Sequence, residues 1–208
     1  MVADRSEGSH LRLAFMVNEP LVAQFFLLLQ QGVLIRRRVG GSIDTFLREE
    51  IGAGPAMIEK IQSIVLDGKP VDDIVSALVH EGSVLALSAA MPGVVGATLR
   101  RGGAYASLRS GITYHETGKA CMAGERWVTI KVFNLLMADL GPGLLRQGVL
   151  VKTTDLTEML EERGEELQQG CSVTLDGKPI DIGSLGKGGM MAGMDRVFLT
   201  VADGPAKT

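Results

Sequence analysis

The stretch Leu66-Asp67-Gly68-Lys69-Pro70-Val71-Asp72 occurs a second time as Leu175-Asp176-Gly177-Lys178-Pro179-Ile180-Asp181, differing only by a Val/Ile exchange. Working outward, Gln31-Gly32-Val33-Leu34-Ile35 recurs as Gln147-Gly148-Val149-Leu150-Val151. At that same spacing Asn18 matches Asn134 and Leu28-Leu29 matches Leu144-Leu145. The matches keep their order along the chain, so the sequence is an internal duplication, and a duplication decides the domain count before any motif does.

Between the anchors each copy carries a helix signal. Ser42 stands as a cap before Ile43, Phe46, Leu47 and Ile51, and Asp155 with Glu158 resembles a capping box before Leu156, Met159, Leu160 and Leu167. Spacings of three and four put each apolar set on one helix face. The Asp-Gly-Lys-Pro segments read as tight turns that join a β-rich run (Ile64-Val65-Leu66; Val173-Thr174-Leu175) to a short return strand. A last strand closes each copy, Val84–Leu87 matching Val197–Thr200. The pattern predicts an α+β chain of two tandem units, each a mixed sheet packed on one main helix. The expected boundaries are 10–100 for the first repeat, 101–126 for a Gly-rich linker and 127–204 for the second repeat.

In Ile64–Leu87 a strand enters a Gly-Lys turn, an irregular segment follows, and Glu81-Gly82-Ser83 leads into Val84-Leu85-Ala86-Leu87. This stretch resembles the β-grasp fold of ubiquitin-like proteins, sulfur carriers and TGS-type domains, and Val173–Val201 repeats it less closely. The resemblance implies a topology and not an activity, because one small fold hosts many functions. It also implies protein contact through the sheet surface or by strand addition at an edge.

Composition narrows the function classes. The 208 residues are 46% hydrophobic and 22% charged, with a net charge of −3, so a packed globular chain is expected and disorder is not. That near-neutral balance lacks the basic excess of a nucleic-acid binder, and 4% aromatic residues offer little for stacking on bases. Cys121 and Cys171 form no CxxC pair or disulfide framework, which points to a reducing compartment, the cytoplasm. Met1–His10 is polar and carries Asp4 and Glu7, unlike a signal peptide. Leu21–Leu29 falls short of the roughly 20 apolar residues a membrane span needs. Ser83–Leu99 is divided by Pro92, Gly93 and Gly96 and reads as a buried strand followed by a loop. Contact with a membrane surface through Leu21–Leu29 or Met91–Leu99 is a weaker alternative.

The candidate site residues are Arg100, Arg101, Gly102, Gly103 and Arg109. The first four look like the Arg-Gly-Gly tail of ubiquitin-like modifiers, whose Gly-Gly end must be a free carboxylate; here the pair is internal and that chemistry needs processing after Gly103. Alternatively, the glycine N–H groups and the arginine forks form an anion or partner site. Arg36-Arg37-Arg38 reads as a solvated strand end. Gly183-Ser184-Leu185-Gly186-Lys187-Gly188 lacks the spacing of a phosphate loop. His10, His80 and His115 have no metal-ligand spacing, so no metal site is expected. His115, Glu116 and Cys121 are the nearest approach to a catalytic set, though adjacency in sequence is not geometry. Cys171, at a strand start, reads as core, and Met190, Met191 and Met194 as either an adaptable partner surface or core filling. No cofactor is implied. The expectation is a non-catalytic binding or assembly module whose partner is another protein or a second copy of itself. The alternatives are a carrier or modifier processed after Gly103, or a small-anion binder using the Gly/Arg segment.

Overall fold

The structure is a computed structural model that describes residues 10–116, 123–186 and 189–204. Its strands are β1 (Arg12–Val17), β2 (Val33–Val39), β3 (Ser63–Leu66), β4 (Lys69–Pro70), β5 (Val84–Ser88), β6 (Gly124–Phe133), β7 (Val149–Lys152), β8 (Cys171–Leu175), β9 (Lys178–Ile180) and β10 (Arg196–Asp203). Its α-helices are α1 (Phe26–Gln31), α2 (Ile43–Thr45), α3 (Pro55–Lys60), α4 (Gly93–Leu99), α5 (Leu136–Gln147) and α6 (Thr153–Gln168), so the chain is α+β. Contacts divide it into two compact units. One is Phe26–Leu144; the other joins the chain up to Phe25 with the chain from Leu145 onward.

In the Phe26–Leu144 unit the strand order is β4-β3-β5-β6-β2. β5 and β6 run parallel, while β3 is antiparallel to β5 and β2 is antiparallel to β6. One sheet face buries Ile64, Leu66, Leu85, Leu87, Ile130 and Val132 at 0% exposure. Ser42 caps α2 as its sequence predicts, accepting from the Thr45 N–H at 3.2 Å. The following residues wind as a π-turn, with the Ile51 N–H on the Phe46 carbonyl, rather than as a continuous α-helix. Gly141 in α5 lets α1 approach, since a Cβ there would lie 2.6 Å from the Phe26 ring.

In the other unit the order is β9-β8-β1-β10-β7. β1 is parallel to β10 and antiparallel to β8, and β10 is antiparallel to β7. β1 alternates, with Leu13, Phe15 and Val17 buried and Arg12, Ala14 and Met16 turned out. Phe15 meets Phe25 edge to face at 5.1 Å, a favoured arrangement of ring quadrupoles. α6 contributes Leu156, Met159, Leu160 and Leu167 to this core, the apolar set its spacing predicts. The helix starts two residues before the expected box, at Thr153, whose hydroxyl donates to the Met194 carbonyl. Asp155 therefore lies in the first turn instead of capping it.

The compact units and the repeat copies are different divisions of the chain. β1 opens the first copy yet completes the sheet of the second copy's β7, β8, β9 and β10. β6, its counterpart at the spacing of Asn18 and Asn134, completes the sheet of the first copy's β2, β3, β4 and β5. Each copy has thus lent its first strand to the other. Leu13, Phe15 and Val17 are at most 2% exposed. At about 1.5–3 kcal/mol per buried side chain, β1 supplies roughly 5–9 kcal/mol of burial, comparable with the whole stability of a small domain.

The structure also differs from expectation between β5 and β6. The chain after Ser88 forms the short helix α4 where the glycines and proline suggested a loop. Gly96 is required there, because a Cβ would sit 1.9 Å from the Met91 carbonyl oxygen. The expected linker 101–126 is folded back on its own unit over its described residues up to 116, and its last three residues already belong to β6. Leu21–Leu29 is a 3-10 turn running into α1 that buries Val22, Phe25, Leu28 and Leu29. Among the described residues, no helix is long and apolar enough to cross a membrane.

Candidate functional site

The segment from Met91 to Glu116 contains the candidate site residues Arg100, Arg101, Gly102, Gly103 and Arg109, and its Met91 and Leu99 lie against the second face of the Phe26–Leu144 sheet, beside Ser63, Val65, Ala86 and Ser88. It is fastened by backbone bonds to the residue before β3 and to β4: the Arg101 N–H donates to Gln62 O at 2.7 Å and the Tyr114 N–H to Pro70 O at 2.8 Å. At its centre is Arg109, 5% exposed and so among the few buried charged residues. Its guanidinium forks onto Asp72, Nη2 to Oδ1 at 2.7 Å and Nη1 to Oδ2 at 3.0 Å. The same group donates to Thr98 O at 2.5 Å and Thr113 Oγ1 at 2.9 Å, so all of its edges are engaged within the chain. The Gly102 N–H donates to Asp72 Oδ1 at 3.0 Å.

The arginine fork and the glycine N–H that the sequence offered to an anion or partner are engaged in this structure by the chain's own Asp72. Arg101 reaches the Ile58 carbonyl at 3.3 Å. Gly102, at φ 62°, and Gly103 form a tight turn in which the Gly103 N–H returns to Arg100 O. Arg100 is exposed. The structure thus brings Arg109, Gly102 and the Arg100 carbonyl together around Asp72 and leaves the Arg100 side chain outside the cluster. A planar fork on a carboxylate is stronger and more directional than a single contact, which suits a clamp. The clamp also serves α4, because Thr98 O is a helix-end carbonyl that would otherwise lack a donor.

The other candidates disperse. Glu116 pairs with His80 at 3.6 Å rather than with its neighbour His115, and it accepts from the Leu78 N–H and the Tyr114 hydroxyl. Cys121 lies outside the described residues, as do Lys187 and Gly188 of the second glycine segment. In the described part of that segment the Ser184 N–H donates to Asp181 O and the Gly186 N–H to Gly183 O, which leaves these two unavailable to a phosphate. Met191 is buried, whereas Met190 and Met194 are exposed. Cys171 is half-buried, and desolvation pushes its thiol up to about 11. Arg37 donates to Glu50 O and Arg36 pairs with Glu125 across β2 and β6, the behaviour of a strand surface.

Sequence reasoning did not single out Asp72 or Thr98 as site residues. Asp72 ends the repeated heptapeptide, but nothing in its spacing ties it to an arginine 37 positions away. Among the described residues no group of three or more His, Cys, Asp or Glu side chains is placed to hold a metal ion. None of the protein-family models, curated proteins or solved structures compared with this chain matches it.

Proposed function

We propose that the chain is a non-catalytic binding module built from two β-grasp-like units, and that it engages another protein through the outer surface of the Met91–Glu116 segment. The β-grasp reading is supported by what each unit contains: a mixed five-stranded sheet, an apolar helix set on one face and an Asp-Gly hairpin. The observation that carries the binding reading is an opposition within one segment. Arg109 is buried and clamped, while Val94 at 83%, Leu108 at 75% and Ile112 at 61% exposure project outward with Val95 and Tyr105. Single exposed apolar residues are ordinary, but five large ones on one short, fastened segment mark a contact surface. Strand addition is the weaker route. The hairpin strands β4 and β9 both carry a Lys-Pro pair, and proline and lysine blunt sheet edges.

The test is capture of a defined protein from native lysate by the full chain and by the pair Val94→Asp with Leu108→Asp. The reading predicts that the protein held by the parent is lost by the variant. Sedimentation shows whether that protein is a second copy. Recovery of the same set by both chains would overturn the reading.

A further inference from the structure

We propose that the second sheet face of the Phe26–Leu144 unit holds a small-molecule site, a recess of about 200 Å³ beneath α4. It suits an uncharged, mostly apolar molecule about the size of one aromatic ring that carries a single hydroxyl, amine or carbonyl group. Strand alternation builds the floor. Ser63 and Val65 of β3 face the same way as Ala86 and Ser88 of β5, which stand opposite them in register. Met91 and Leu99, at the two ends of the α4 segment, form the roof. The opposite sheet face buries the aliphatic set Ile64, Leu66, Leu85 and Leu87.

The polar groups decide what fits. Ser88 Oγ donates to Ala89 O at 3.1 Å and accepts from Asn134 Nδ2 at 3.0 Å, so it is satisfied. Its cross-strand partner Ser63 is 3% exposed, lines the recess, and its hydroxyl has no hydrogen-bond partner among the described residues. Buried hydroxyls are nearly always paired, and each exception calls for an explanation. A water on Ser63 would need two to four polar partners, and beside Ser63 the lining offers only the Asn134 amide and a Ser88 hydroxyl that already donates to Ala89 O and accepts from Asn134, among five apolar side chains. A ligand bearing one polar group on an apolar body satisfies Ser63 and fills the rest. None of the lining residues ionises, so a charged group would be buried without compensation. A dry protein cavity of about 150 Å³ holds benzene, which sets the scale for a single-ring occupant.

The site is separate from the proposed contact surface, since Val94 and Val95 are on the exposed side of α4. The experiment is an amide-resonance titration of the full chain with phenol, benzene and benzoate. Phenol should perturb Ser63, Val65 and Ala86 and bind about five- to tenfold more tightly than benzene, the worth of one hydrogen bond. Benzoate should not bind. Ser63→Ala should erase the preference for phenol, and Ala86→Leu should abolish both by filling the recess. If Ala86→Leu disturbs the fold, Ala86→Val supplies the same test with less added volume. Equal binding of phenol and benzene by the parent chain, an undiminished preference in Ser63→Ala, or no perturbation by either compound would overturn the proposal. Val94→Asp with Leu108→Asp should leave phenol binding intact, so the two readings fail independently.

Discussion

Replacing Arg109 with alanine tests whether the Met91–Glu116 segment is held as a unit by its clamp. The substitution removes both fork bonds to Asp72 and the donors to Thr98 O and Thr113 Oγ1. Stripping one partner from a buried ion pair costs roughly 3–5 kcal/mol. The Asp72 side chain keeps 32% of its exposure, so water recovers part of its hydration, and about 2–3 kcal/mol is the figure to expect. At 1.4 kcal/mol per tenfold, the open form of the segment should rise roughly 30- to 150-fold, as subglobal opening does when a local fastening is lost. Hydrogen exchange read by mass spectrometry should show that rise over peptides within 91–116, while peptides from β3, β5 and β6 keep their protection. Arg109→Lys, which retains charge without the fork, should fall between. The pair Arg109→Met with Asp72→Leu should recover much of the loss, because it leaves no buried charge. Unchanged exchange in Arg109→Ala, or equal loosening of the whole unit, would refute the clamp.

Three further outcomes follow from particular contacts. Gly148→Ala is strained twice, by φ 97° and by the Phe198 ring 2.2 Å from the new Cβ; thermal or urea unfolding should register a loss of about 2–4 kcal/mol. Gly177→Ala, also at positive φ but with open space around it, should cost only about 1 kcal/mol. Cys171, with its thiol pushed up to about 11 by burial, should react at pH 8 roughly a hundredfold more slowly than in the unfolded chain, judged by peptide mapping after alkylation.

The local grammar of the fold was legible. Asp67-Gly68 and Asp176-Gly177 have positive φ at both residues, as a two-residue hairpin turn demands, and Asp-Gly pairs announce such turns. The helix face of Leu156, Met159, Leu160 and Leu167 was likewise visible in its spacing. What was not legible is which strand pairs with which. β1 and β6 have matching positions in the repeat and the same alternating character, so either sheet can accept either strand on local grounds. The choice is made by contacts far apart in sequence, such as Phe15 with Val173. The clamp escaped for a similar reason: glycines and arginines showed an anion-holding composition, while the anion lay in the repeated turn segment. The α4 helix escaped because its glycines and proline are breakers by propensity, overridden where Gly96 permits close packing.

The exchange of first strands is tested most directly by a single added cysteine. Val17 is in register with Cys171. The flanking bonds, Asn18 N–H to Gly170 O and Asp176 N–H to Arg12 O, both at 2.9 Å, put Val17 and Cys171 at a non-hydrogen-bonded position. Cα atoms there approach to about 4.5 Å, within the roughly 4.4–6.8 Å that a disulfide spans. In Val17→Cys with Cys121→Ser, mild oxidation should join the introduced thiol to Cys171 within one chain, as mapped by mass spectrometry. Had each copy kept its own first strand, Val17 would occupy the place of Phe133, opposite Ser88. A chain in which the introduced thiol ignores Cys171 and instead couples to an added Ser88→Cys would contradict the exchange.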